Sequence, residues 1–358
     1  MIKQLYLKFE KSLIKFRRYH YKKVHQRIIK QNVKNKEIYL GSKEEYEKNV
    51  LPFWEKYGLK PDIRWFQYYG YVNQKFDPHI IPADLYYTDI YYSLNDSRYD
   101  DVLDNKFFSE YFVQGIKKAH TIVKYGNGLF LTDDFELITK EEALEIIKQY
   151  GKVLIKPTDT GQGKGIELLD FNKSYDEAVK SFEEKISDGD FIVQELIKQS
   201  DQLARFNSSS VNTIRVISLI VDNKVEILSK ILRVGSKGSF IDNYSQGGMS
   251  RPIDDEGVLK TYAFVKENKV YVDNEGNQLT EEKIIGYDKI IEEIKKYHKR
   301  IPHLRMIGWD FAIDQDYEPV FIEYNGYVGE NQREDGPAFN KFTEKVLDYY
   351  YDKKNNKK

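Results

Sequence analysis

Two acidic residues and an amide late in the chain have the types and spacing to hold a divalent cation. Gly308-Trp309-Asp310-Phe311-Ala312-Ile313 is followed by Val320-Phe321-Ile322-Glu323-Tyr324-Asn325, with a turn centred on Asp316-Tyr317. Pairing two strands about that centre sets Asp310 opposite Glu323 and Gly308 opposite Asn325. Side chains alternate faces along a strand, so Glu323 and Asn325 share one face. Asp310 joins them across the ladder, at about 5.5 Å between Cβ atoms. Phe311, Ile313, Val320 and Ile322 then take the core-facing side. Directly opposed carboxylates repel unless positive charge stands between them. Mg²⁺ takes one or two carboxylates together with phosphate oxygens and meets that need; Mn²⁺ is the alternative for an all-oxygen site. The competing reading is a solvated polar face, or one carboxylate paired with an arginine.

A second candidate lies earlier. Lys156 ends the apolar run Val153–Ile155 and is followed by Pro157-Thr158-Asp159-Thr160-Gly161-Gln162-Gly163-Lys164-Gly165. Gly161, Gly163 and Gly165 let the backbone approach a ligand closely, and successive N–H groups in such a turn can cradle phosphate oxygens. A dinucleotide fingerprint would open a helix here. The strand pattern Ile166–Leu169 follows instead, so the loop belongs to a hairpin and would fold over phosphates as a flap. The bland alternatives are a surface turn and a lysine snorkelling to solvent.

The elements that must position these groups alternate in type. Thr139 with Glu142 and Ser174 with Glu177 read as capping boxes, opening helices to Tyr150 and to about Ile186. Phe191–Ile197 reads as a strand, and Thr213–Val221 and Val225–Val234 as a long hairpin turning at Asp222-Asn223. Helices are expected over Tyr287–Arg300 and Ala338–Tyr350, with Asp352–Lys358 as a frayed polar tail. Hairpins interspersed with helices indicate α+β subdomains with antiparallel sheets. The expected division is a basic helical segment at 1–36, an N-terminal domain at 37–120, a central subdomain with the flap at 121–200, a C-terminal subdomain with the metal site at 201–350, and the tail at 351–358.

Composition narrows the chemistry. The 358 residues are 41% hydrophobic and 32% charged, as in a water-soluble globular protein, and no run of about 18 apolar residues occurs. Met1–His25 has no apolar signal-peptide core. The lack of cysteine excludes disulfides, thiolate catalysis and cysteine-bound zinc, and permits a reducing cytoplasm. The six histidines are scattered, with no zinc spacing at His298 and His303. A net charge of −1 argues against nucleic-acid binding. Charge is uneven, however: residues 1–36 hold nine Lys and three Arg against one Glu. Ile2, Leu5, Phe9, Leu13 and Phe16 recur there at helical spacing. The segment either lies on an anionic inner-membrane surface or packs on its own domain.

These pieces, in this order, resemble the ATP-grasp superfamily, and more narrowly the sugar-transfer-associated ATP-grasp proteins, relatives of the glutamate-ligase type found with polysaccharide biosynthesis. The resemblance covers roughly residues 40–345. It is most specific in Val153–Gly165, Ser209–Val216, Phe240–Ile253 and Leu304–Asn325. It implies an ATP-grasp fold, two α+β subdomains clasping ATP between antiparallel sheets, with a smaller N-terminal domain. It further implies that Lys156 and the earlier Lys106 reach the phosphates, with Gly161, Gly163 and Gly165 above them. Gln194, Glu195, Leu196 and Ile197 resemble the hinge beside adenine, and Asp201 is a candidate for ribose. Asp310, Glu323 and Asn325 match the family's metal set. Arg215 and Arg233 resemble arginines beside the phosphoryl group in flight, the plain alternative for Arg215 being a salt bridge to a hairpin carboxylate. Asn243, Gly247 and Gly248, with Gln332 and Arg333, are candidate substrate contacts.

The expected activity is an ATP- and Mg²⁺-dependent joining of a carboxylate to an amine through an acyl phosphate. The expected partners are small molecules, one of them a sugar acid, amino sugar, amino acid or sugar nucleotide. A kinase on the same fold and a non-catalytic nucleotide-binding or membrane-surface scaffold are the rival readings.

Overall fold

The computed structural model describes residues 2–34, 42–73, 75–161, 163–236, 248–266 and 268–355. The alternating apolar patterns between residues 121 and 325 form two fully antiparallel sheets. β1 (Thr121–Gly126), β2 (Leu129–Thr132), β3 (Leu137–Ile138), β4 (Lys152–Pro157), β5 (Glu167–Asp170) and β6 (Phe191–Glu195) make the first, in the order β3-β2-β1-β6-β4-β5. Helices Lys140–Gln149 and Tyr175–Asp188 cover it, burying Ile147 and Phe182 against Val153, Ile155 and Val193. Thr139 and Glu142 form a complete capping box on the first of these helices. Ser174 Oγ accepts from the Glu177 N–H at 3.3 Å and caps the second.

The second sheet gathers β7 (Thr213–Val221), β8 (Lys224–Val234), β9 (Met249–Pro252), β11 (Ala263–Val265), β12 (Asn268–Val270), β14 (Met306–Ile313) and β15 (Pro319–Asn325), in the order β12-β11-β9-β8-β7-β14-β15. β10 (Val258–Leu259) and β13 (Glu282–Lys283) pair separately. The β7–β8 turn holds Asp222 and Asn223 at φ +50° and +58°, the left-handed pair of a two-residue hairpin that follows the strand twist. One face of this sheet buries Ile214, Val216, Leu232, Trp309 and Phe311 against helix Tyr287–Tyr297. Over the other face the N-terminal helices and the last helix, Thr343–Asn355, pack Trp54, Phe66, Tyr86 and Phe339 against Ile217 and Met306. That last helix starts five residues later than the sequence indicates, and it takes in Asp352–Asn355, which are therefore not a frayed tail.

A buried polar chain fixes β14 just before Asp310. Trp309 Nε1 donates to Ser218 Oγ at 2.8 Å, and Ser218 Oγ lies 2.8 Å from His298 Nδ1. His298 Nε2 lies 2.9 Å from the Leu304 carbonyl, so it carries the proton and Nδ1 accepts. Burial holds the imidazole down at about 4, and His298 therefore stays neutral in the fold. The unfolded chain takes up this proton below about pH 6.5 and the folded chain only near 4, so stability is lost as pH falls through that window. The expected loss is about 3 kcal/mol in denaturant titrations between pH 6.5 and 4. His298→Gln should remove this pH slope; an unchanged slope would exclude the residue as its source.

Candidate active site

The β14–β15 register pairs Asp310 with Glu323 and Gly308 with Asn325. Beyond Asp310 the register shifts, and Phe311 pairs with Phe321, leaving Ile322 as the extra residue of a β-bulge. The bulge corrects the sequence-based placement of Ile322: Phe321 takes the core-facing place, and Ile322 lines the cleft beside Glu323. Gly308 permits close packing beneath the site. A Cβ on it would stand 2.4 Å from Val328 Cγ1 and 3.5 Å from Arg215 Cδ.

Asp310, Glu323 and Asn325 all line one cleft of about 800 Å³ between the two sheets. Arg215, opposite Asp310 on β7, grips the Asp310 carboxylate with two donors, Nη2 at 2.5 Å from Oδ2. Arg233 Nη1 approaches the same carboxylate at 3.5 Å. Burial pushes the Asp310 carboxyl up, but Arg215 and Arg233 together outweigh burial and hold it below the usual carboxylate range. Asn325 Nδ2 donates to Glu323 Oε1 at 3.3 Å. The shared acidic face and the arginine pairing, alternatives on sequence grounds, therefore coexist. Among the described residues no three His, Cys, Asp or Glu side chains cluster as a metal site. The donor set is two carboxylates and an amide, which suits a hard cation that keeps waters and phosphate oxygens.

Lys156 ends β4 beneath this face and is only 7% exposed. Burial pulls its amine down to about 8; Glu323 opposes that pull and Lys106 adds to it. The glycine loop joins β4 to β5, as the hairpin reading requires. Gly163 and Gly165 have φ of +69° and +74°, and a Cβ on Gly165 would stand 2.9 Å from Pro157 Cγ. Lys106, at the start of helix Lys106–Phe112, donates to the Thr160 carbonyl at 2.6 Å and lies 3.5 Å from Glu323. It thus links the flap to the acidic face.

A second cavity of about 360 Å³ adjoins the first and shares Lys156, Ile166, Thr213 and Ile322 with it. Leu154, Glu195, Leu196 and Ile197 wall it, and Ser208–Val211 at the approach to β7 contribute as well. Its mostly apolar lining beside a cationic cleft suits a purine next to its phosphates. Leu196 and Ile197 lie past the end of β6, which stops at Glu195.

Several sequence-based candidates sit elsewhere. Gln194 lines the larger cleft, not the apolar cavity, and its amide donates to Thr121 Oγ1 at 3.0 Å. Asp201 is exposed in the first turn of helix Asp201–Ala204 and lines neither cavity, which argues against a ribose contact. Gln332 is 1% exposed, and its amide is spent on the backbone of Ile81 and Ala338, so it braces the N-terminal helices instead of meeting substrate. Arg333 donates to the Lys266 carbonyl at 2.7 Å and lines a separate cleft with Tyr262 and Asp335. Gly248 is buried ahead of β9 and lines neither cavity. Asn243 and Gly247 lie outside the described residues.

The cleft also contains residues that sequence reasoning missed. Glu110 follows Lys106 by one helical turn, a spacing that could have found it. It accepts from Thr121 Oγ1 at 2.8 Å and pairs with Lys118. Asp104 accepts the Gly326 N–H at 2.7 Å, and burial pushes its carboxyl up to about 6 against that bond. Tyr87 and Tyr327 close the N-terminal side of the cleft.

No curated protein matches the chain in sequence. Among solved structures it is similar to N5-carboxyaminoimidazole ribonucleotide synthetase in an ADP complex, with 13% identity, 63% of this chain and 45% of that one covered, and a TM-score of 0.39. It is similar to D-alanyl-alanine synthetase A from Vibrio cholerae, with 16% identity, 70% and 64% covered, and a TM-score of 0.41. It is also similar to biotin carboxylase from Campylobacter jejuni, with 14% identity, 69% and 46% covered, and a TM-score of 0.42. The chain spans less than two thirds of the length of each. The profile of the sugar-transfer associated ATP-grasp family matches residues 86–332, well over half of the sequence. The chain belongs to the sugar-transfer associated ATP-grasp family.

Proposed function

We propose that the protein is an ATP- and Mg²⁺-dependent carboxylate–amine ligase. The observation that carries this reading is the cleft itself: Lys106, Lys156, Arg215 and Arg233 surround the face of Asp310, Glu323 and Asn325, next to an apolar cavity. The base of ATP fits the smaller cavity and its phosphates the cationic cleft. Asp310, Glu323 and Asn325 would hold Mg²⁺, which supplies charge neutralisation at the β- and γ-phosphates. Lys156 and Lys106 then bind phosphate oxygens, and the flap of Gly161, Gly163 and Gly165 covers them and excludes water. Arg215 and Arg233, held beside Asp310 in the same cleft, would supply positive charge to the phosphoryl group in flight.

An oxygen of the donor carboxylate attacks the γ-phosphorus, the bond to the β-phosphate oxygen breaks, and ADP leaves. The amine attacks the acyl carbon, inorganic phosphate leaves, and the amine's proton passes to solvent or phosphate. No side-chain nucleophile takes part, in keeping with a chain without cysteine. The family's association with sugar transfer supports a sugar acid, amino sugar, amino acid or sugar nucleotide as one partner, in surface polysaccharide biosynthesis. ATP as a substrate supports a cytoplasmic site of action.

The test supplies ATP and Mg²⁺ with panels of acids and amines and follows ADP, phosphate and product mass. The expected result is amide formation with one ADP and one phosphate per product. A phosphorylated product without free phosphate would instead make the protein a kinase.

A further inference from the structure

Among the described side chains, the N-terminal helix, Ile2–Lys34, docks through its middle and C-terminal half. His25 stacks on Tyr87 with ring centroids 4.8 Å apart, Gln26 donates to Asp84 at 3.1 Å, Ile29 is fully buried, and the Arg18 guanidinium lies over the Tyr92 ring at 4.4 Å. Phe9, Leu13 and Phe16, by contrast, are 63%, 52% and 70% exposed. These three recur four and three residues apart and share one face. Phe9 precedes Arg18, and Phe16 precedes His25, by nine residues, which at about 100° per residue is a half-turn out of phase. The apolar stripe therefore points away from the docked face, and the described residues leave it uncovered.

Charge identifies the occupant. Residues 1–36 carry an excess of eleven positive charges, while the whole chain has a net charge of −1, so the remainder is net acidic by twelve. Pairing two such helices stripe to stripe would bring eleven-charge excesses together, which disfavours a second copy. Phenylalanine and leucine on one face, with lysine and arginine beside it, are what the headgroup region of an anionic bilayer accommodates. No described helix is long and apolar enough to cross a membrane, so the contact is in the surface plane.

We propose that Phe9, Leu13 and Phe16 seat the N-terminal helix on an anionic lipid surface. Because the docked half of the helix packs on Tyr87, a wall residue of the cleft, this seating holds the cleft close above the bilayer. The reading is independent of the reaction assigned to that cleft.

The full chain is sedimented with phosphatidylcholine vesicles, with and without phosphatidylserine, at low and high salt. The expected result is binding that requires phosphatidylserine and weakens with salt. Phe9→Gln/Leu13→Gln/Phe16→Gln should weaken it roughly a hundredfold, with an unchanged melting temperature and unchanged ATP affinity. Absent binding, equal binding to neutral vesicles, or an unaffected triple variant would overturn the proposal. So would a dimer, seen by light scattering, that the same substitutions dissociate, since a second copy would then cover the stripe.

Discussion

Glu323→Gln is expected to lower Mg²⁺-dependent ADP formation at least about a hundredfold without moving the melting temperature by more than about a degree. The Glu323 side chain is 22% exposed, lies 3.5 Å from Lys106 and accepts from the amide of Asn325. A glutamine of equal shape keeps an acceptor oxygen for the Asn325 amide and gives up the charge facing Lys106, an ion pair whose loss at a part-exposed position costs the fold little. Asp310→Asn should match that loss of activity but also destabilise the fold by about 3–5 kcal/mol. Asp310 is 3% exposed and is shared by Arg215 and Arg233, so neutralising it leaves two guanidinium groups without their buried counter-charge. Turnover assays paired with thermal and denaturant melts separate the two effects. An active Glu323→Gln enzyme, or an Asp310→Asn protein as stable as the parent, would contradict this division of roles.

Lys156→Met should move binding and stability in opposite directions. On the proposed function, removal of this cleft-lining amine is expected to weaken ATP binding by at least about tenfold. It should also stabilise the nucleotide-free protein by up to about 3 kcal/mol near neutral pH, because burial holds this amine at about 8 where an exposed lysine would sit near 10.4. The folded state carries the full cost of the buried charge below pH 8. That cost falls away between pH 8 and about 10.4, where the folded protein binds fewer protons than the unfolded chain. Wild-type stability should rise through that window, and the variant should lack the rise. Wild-type ATP affinity should fall in the same window, as the amine loses its proton. Calorimetric titration with ATP across pH 7–10 and denaturant melts of both proteins check the signs. Weakened binding without stabilisation would mean that the Lys156 charge is compensated in the free protein.

The parts of this arrangement that were legible in the sequence are those set by local periodicity. The Asp222-Asn223 turn and the Thr139–Glu142 box follow from spacing within a few residues, and the opposition of Asp310 to Glu323 from the symmetry of one short hairpin about its turn. The bulge at Ile322 is one extra residue in a regular ladder, and an alternation rule cannot see it. Long-range closure was also illegible. Asp104 enters the cleft through the Gly326 N–H, and Gln332 is diverted to the backbone of Ile81; neither partner lies near in sequence. Asp201, an acid after the hinge sequence that does not clearly reproduce the family's position, begins a short helix and is exposed. Lys106, the less specific of the two lysine matches, stands between the flap and the acidic face because Asn105 caps its helix and fixes where that helix begins.

Manganese binding followed by electron paramagnetic resonance, with a non-hydrolysable ATP analogue present, addresses the acidic face without knowledge of either substrate. The wild-type protein should bind one or two Mn²⁺ ions tightly only with the nucleotide. Glu323→Gln and Asn325→Ala should each loosen them about tenfold or more while the analogue still binds. Equal Mn²⁺ affinity in all three proteins would mean that the late hairpin does not hold the metal.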